Sequence, residues 1–63
     1  MLLKNLLVYA LEVFEGRAPT VAGWLRTPLR ELGQMSPLQL LDTVTGFGLV
    51  EEVLIRLEYG LPA

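Results

Sequence analysis

Gly23-Trp24-Leu25-Arg26-Thr27-Pro28-Leu29-Arg30-Glu31-Leu32-Gly33-Gln34-Met35-Ser36-Pro37-Leu38-Gln39-Leu40-Leu41-Asp42-Thr43 is the stretch whose punctuation decides the fold. Pro28 disfavours helical geometry at Thr27, so a helix arriving through Trp24 and Leu25 stops near Arg26. Leu29 to Leu32 has room for one helical turn before Gly33 ends it. Ser36-Pro37-Leu38-Gln39 then starts a new helix. Serine caps it, proline suits the first turn, and Gln39 stands three residues on, where a capping box needs it. The helix so opened is short, with Leu38, Leu40, Leu41 and Val44 as candidates for cover. Near the other end, Arg56-Leu57-Glu58-Tyr59-Gly60 closes a last helix, because glycine takes the left-handed C′ conformation cheaply and Pro62 blocks continuation.

Working outward, Pro19 suits the first turn of the helix that ends near Arg26, and Val21, Trp24 and Leu25 give it one apolar edge at i, i+3 and i+4. Before it, Leu2 to about Glu15 reads as a helix. Leu3, Leu6, Leu7, Ala10, Val13 and Phe14 recur at helical spacing, and Val8, Tyr9 and Leu11 broaden the stripe until it needs cover on more than one side. Gly16 is the natural C′ residue of that helix. The last helix opens at Thr43 or Thr45 and runs to about Tyr59, with Phe47, Val50, Val53, Leu54 and Leu57 on one face. Glu52 and Arg56 form an i, i+4 pair in the favourable order. No strand pattern, repeat or long linker interrupts the series. The expected fold is all-α, a small bundle of four to five short helices, and residues 1–63 are expected to make one domain.

Composition narrows the function. Of 63 residues, 52% are apolar and 19% charged, a supply richer than one small core needs, which points to an oligomer or a permanent partner. The net charge is −2, and the five basic residues, Lys4, Arg17, Arg26, Arg30 and Arg56, form no run. A nucleic-acid interface needs a basic face, so direct DNA binding by this segment is disfavoured. Cysteine and histidine are absent, which removes disulfides, zinc sites, thiolate nucleophiles and imidazole bases. Absence of cysteine also fits a reducing cytoplasm. The apolar run from Met1 to Phe14 is broken by Lys4, Asn5 and Glu12 and falls short of the ~20 residues a bilayer span requires. It reads as a buried helix, not as an anchor or a signal.

Little chemistry remains. Glu51 and Glu52 are adjacent, so on a helix they point apart, which is wrong for a paired acid and base. Glu12 and Glu15 give the first helix its wet edge. Ser36 has no base to activate it, and capping accounts for it. Gly46 and Gly48 lack the Lys-Ser/Thr and the strand of a phosphate loop and instead allow close packing at the helix start. Thr20 to Leu25 faintly suggests the second half of a helix-turn-helix, but Thr27-Pro28 and a single turn follow where a recognition helix should be. Trp24 suits the core. Arg26 and Arg56 sit near helix C-termini beside apolar stripes, where the helix dipole favours a cation. They are also candidates to bridge to carboxylates of a neighbouring chain. No catalytic, metal or cofactor residue is assigned, and the chain is not expected to be an enzyme.

The order of marks resembles the toxin-binding domain of the Xre/MbcA/ParS-type antitoxins of bacteria. That family has a Trp-Leu-x-x-Pro motif, a Leu-Gly turn, a Ser-Pro-x-x-Leu-Leu-x-Thr helix start and a terminal Arg-Ile-Glu-x-Gly. The matches here are Trp24, Leu25 and Pro28; Leu32 and Gly33; Ser36, Pro37, Leu40, Leu41 and Thr43; and Arg56, Glu58 and Gly60. Gln34-Met35 stands in place of the usual Gly-x, and Leu57 in place of isoleucine, with neither expected to upset a cap.

The resemblance implies an antitoxin of a type II toxin-antitoxin system that neutralises a RES-domain toxin, a protein that consumes NAD, by covering its active-site cleft. Members usually carry a helix-turn-helix domain ahead of this part. This chain is expected to lack it, as a fragment or a naturally short member, so DNA binding is not carried over. Arg26, Arg56, Tyr59, Gly60, Leu61, Pro62 and Ala63 are the expected toxin contacts. The apolar tail is stiffened by Pro62, and a carboxylate at its end suits a site built for pyrophosphate. Trp24, Pro28, Gly33, Ser36, Pro37 and Leu41 are the expected structural motif. The expected setting is cytoplasmic and membrane-free, with a homodimer expected beside the toxin complex. The alternative function is a helical dimerisation domain of a transcriptional regulator, with Leu3, Leu7 and Tyr9 as its contacts.

Overall fold

The computed structural model describes residues 2–60, with side chains from residue 5 onward. Four α-helices and one 3₁₀ turn follow one another: α1 Leu2–Val13, α2 Ala18–Leu25, the 3₁₀ turn Arg30–Leu32, α3 Pro37–Leu40 and α4 Val44–Tyr59. This is the expected small all-α bundle. The longest helix, α4, is the centre of it, packing on α3, on α1 and on the 3₁₀ turn, while α2 packs on α1 and α3.

Local chemistry sets each boundary. Arg17 precedes α2 without a side-chain cap, and Pro19 sits in the first turn. At the other end of α2, Thr27 helps to close the last turn: its Oγ1 donates to the Gly23 oxygen at 2.7 Å, which also accepts from the Arg26 N–H, and its own N–H donates to the Trp24 oxygen at 3.1 Å. The Ser36 capping box forms as the sequence predicts. Gln39 N–H donates to Ser36 Oγ at 3.4 Å, and Ser36 N–H donates to Gln39 Oε1 at 2.9 Å. Thr43, not Thr45, caps α4, its Oγ1 accepting from Gly46 N–H at 2.9 Å.

Two connections use left-handed residues that are not glycine. After α1, Glu15 N–H donates to the Glu12 carbonyl and Gly16 N–H to the Leu11 carbonyl, the paired bonds of a Schellman ending. Glu15 (φ +57°) therefore holds the C′ position expected of Gly16, and Gly16 (φ +76°) follows it. The second case is the loop between α2 and α3. Leu29 N–H donates to the Met35 carbonyl and Gln34 N–H to the Leu29 carbonyl, closing a narrow loop. To turn inside it, Gly33 and Gln34 adopt φ of +65° and +67° in succession. Gln34 thus occupies a left-handed position where glycine is usual, so this departure from the pattern is not free.

The core comprises Leu6 and Ala10 of α1, Val21 of α2, Leu32 of the 3₁₀ turn, and Val50, Val53 and Leu54 of α4. Phe14 and Trp24 pack against it with ring centroids 5.6 Å apart and planes tilted by 52°, a favourable aromatic geometry. Gly46 is buried because α4 starts against the end of α3. A methyl group there would overlap the Leu40 carbonyl oxygen and lie 2.9 Å from Leu40 C and from Thr43 Oγ1. Gly48 has nothing within 4 Å of the same imagined methyl, so close packing explains only the first of the two glycines.

Candidate functional site

The last two turns of α4 collect most of the describable residues that the sequence singled out for binding. Arg56 Nη2 donates to Glu52 Oε1 at 2.7 Å, an exposed i, i+4 pair worth about 0.3–0.5 kcal/mol. Arg56 is thus engaged on its own helix. One turn on, Tyr59 is 70% exposed, and Gly60 (φ +66°) ends the helix with its N–H directed at the Arg56 and Leu57 carbonyls. Leu57 corrects an expectation. It lies on the face of Val50, Val53 and Leu54, yet it is 47% exposed. Leu61, Pro62 and Ala63 lie outside the described residues.

Arg26 belongs elsewhere. It is the C-cap of α2, and no ion pair or side-chain hydrogen bond among the described residues joins it to α4. The expected motif residues are distributed through the frame. Ser36 and Pro37 are buried, Trp24 and Leu41 are half-buried, Gly33 is the left-handed stop of the 3₁₀ turn, and Pro28 is exposed.

A contact the sequence did not suggest ties α4 to α1. The Tyr9 hydroxyl donates to Glu58 Oε1 at 2.6 Å. That bond to a carboxylate, aided by partial desolvation and by the negative charge of Glu58, pushes the Tyr9 pKa up from its ordinary 10 to about 12. Tyr9 is thus part of the helix-to-helix frame. Forty-nine positions separate the partners, so no local pattern announced the pair.

Two grooves lie among the described residues. One, of about 160 Å³, runs between the 3₁₀ turn and α4, lined by Glu31, Leu32, Leu49, Glu52, Val53 and Arg56. Glu31 and Leu49 escaped sequence reading, since only the packing of the turn on α4 sets them beside Arg56. The other, of about 220 Å³, lies between α1 and α2 and is lined by Leu7, Leu11, Ala18, Val21, Ala22 and Leu25. Several large apolar side chains outside the grooves also face solvent. Val44 is 91% exposed and Leu38 more than half, although both were expected to find cover. No cluster of acidic residues among those described has metal-binding geometry, and no helix among them is long and apolar enough to cross a membrane.

Comparison with known proteins identifies the family. Residues 10–60, most of the chain and all of the α2–α4 framework, match the family model described as the antitoxin Xre/MbcA/ParS C-terminal toxin-binding domain. The chain is 34% identical over 53 residues to antitoxin Xre of Photorhabdus laumondii, covering 84% of this chain and 36% of that protein. It is 38% identical over 52 residues to antitoxin Xre of Yersinia enterocolitica, covering 82% and 35% respectively. It therefore spans about a third of the length of these relatives. No solved structure matches it. The chain belongs to the family of Xre/MbcA/ParS antitoxin C-terminal toxin-binding domains.

Proposed function

We propose that this chain is the toxin-binding part of a type II antitoxin, that it acts in the cytoplasm without catalysing a reaction, and that its target is a NAD-consuming RES-domain toxin. The carrying observation is the family match across residues 10–60. The geometry supports it. Leu57 and Tyr59 leave apolar surface uncovered at the end of α4, and such surface is stabilised when a partner excludes water from it. Gly60 ends the helix there and directs the chain into residues 61–63, whose proline limits the entropy lost on docking. In this mechanism Arg56, Tyr59, Gly60, Leu61, Pro62 and Ala63 cover the toxin's cleft and deny it substrate. Arg26, on another element, contributes at the edge of the contact.

Co-expression with the toxin tests this, read by growth, by NAD level and by size exclusion. Tyr59→Ala and deletion of residues 60–63 should leave the helical circular dichroism intact and abolish neutralisation. Unchanged neutralisation by the deleted form refutes the role of the tail.

The groove between α1 and α2 favours a second reading, self-association as a helical dimerisation domain. Leu7 lines that groove, whereas the Tyr9 hydroxyl is spent on Glu58 and the Leu3 side chain lies outside the described residues. On this reading Leu7→Gln yields monomers in sedimentation while Tyr59→Ala does not. The reverse pattern rules it out.

A further inference from the structure

We propose that the groove between the 3₁₀ turn and α4 is a socket for one cationic side chain, an arginine or a lysine, on the surface of the toxin. This rests on the toxin-binding reading above and adds an anchor to it. Size sets the first limit. About 160 Å³ accommodates a single long side chain and is below the range of small-molecule and nucleotide pockets, which begins near about 300 Å³.

Chemistry sets the second. Leu32 and Val53 form a buried floor, and Leu49, 44% exposed, forms a side wall. Glu31, Glu52 and Arg56 form the rim, two carboxylates against one guanidinium, leaving one net negative charge. Arg56 is bonded to a single Glu52 oxygen, so the second oxygen of Glu52 stays available as an acceptor. Glu31 is in no ion pair among the described residues. An apolar floor under an anionic rim matches a side chain with an apolar stem and a charged head. A partner's carboxylate or phosphate would meet net repulsion at the same place.

Position sets the third. Arg56 lies one turn before Tyr59, so an occupied socket would be continuous with the exposed end of α4. Arg56 then has two roles: its Nη2 bond holds the Glu52 carboxylate in place, and its remaining donors serve the toxin contact proposed above.

The test is calorimetric titration of the full chain against a purified RES-domain toxin from the same organism, at low and high salt, with the fold of each variant checked by circular dichroism. Glu31→Gln should weaken the complex about threefold at low salt, with the difference fading at high salt. Glu31→Lys should weaken it about tenfold. Leu49→Ala should weaken it about fivefold at either salt, because it removes wall and not charge. Glu12→Gln, on α1, serves as the control. Unchanged affinity for Glu31→Lys and Leu49→Ala, with Tyr59→Ala still weakening the complex, overturns the socket and leaves the toxin-binding reading standing. Tighter binding by Glu31→Lys overturns it too, since the toxin would then present an anion. Failure of the parent chain to bind the toxin removes both.

Discussion

Gly46 and Gly48 stand two residues apart on the same helix, and replacing each by alanine should move stability in opposite directions. At Gly46 the added methyl overlaps a backbone carbonyl oxygen, that of Leu40, which no side-chain rotation can clear. The start of α4 must shift away from the end of α3. That shift opens the Thr43 Oγ1 bond to the Gly46 N–H, a loss of about 1 kcal/mol for a cap, and overpacking adds about 1–3 kcal/mol. The total, about 2–4 kcal/mol, is a large share of what a chain this small has available, and on the scale of about 4–8 °C per kcal/mol it lowers the melting temperature by about 8 °C or more. At Gly48 the same methyl meets nothing, and alanine is the better helix former by about 0.8–1 kcal/mol, so the melting temperature should rise by about 4–8 °C. Thermal and urea unfolding followed by circular dichroism measure both. The reasoning fails if Gly46→Ala melts within a few degrees of the parent, or if both substitutions shift stability in the same direction.

Other substitutions test individual contacts. Ser36→Ala removes the Oγ half of the capping box, leaving the backbone N–H bond to Gln39 Oε1, and should cost about 1 kcal/mol in urea unfolding, whereas Ser36→Thr should retain most of it. Gln34→Gly should stabilise by about 0.5 kcal/mol, the relief of the left-handed cost less the added freedom of the unfolded chain; a loss in urea unfolding shows that the position is not strained. For Tyr9, a folded pKa raised from 10 to about 12 means that the folded state holds the proton more tightly. The stabilisation is therefore complete below pH 10 and is lost as pH rises through about 12. Tyr9→Phe should flatten that decline in pH-dependent unfolding and remove the late component of the tyrosinate absorbance.

Short-range chemistry was the part of this fold that the sequence displayed. The stop before Pro28, the box at Ser36 and the ending at Gly60 each depend on residues within one turn of one another, and each stands where the pattern put it. What escaped depends on distant geometry. Leu57 continues the apolar stripe of Val50, Val53 and Leu54 at helical spacing yet is 47% exposed, and only tertiary packing decides which residues of a stripe are covered. Gly46 differs from Gly48 because the Leu40 carbonyl happens to approach one and not the other. Glu15 was passed over because Gly16 beside it is the better left-handed residue, yet the Schellman bonds place the C′ position one residue earlier. The site divided along the same line. Arg56 and Tyr59 were legible from the helix terminus, whereas Glu31 and Leu49 meet Arg56 only through tertiary packing.

The two left-handed side chains, Glu15 and Gln34, carry a consequence for the lifetime of the chain. Each adds an avoidable conformational cost of about 1 kcal/mol at a connection remote from the α4 terminus. By mass action, a partner present at a hundred times its dissociation constant contributes about 2.7 kcal/mol, enough to outweigh both. A chain so constituted is more open to proteases while solitary than once occupied, and relief of strain at either connection would lengthen both lifetimes, since the partner's contribution adds to the chain's own stability.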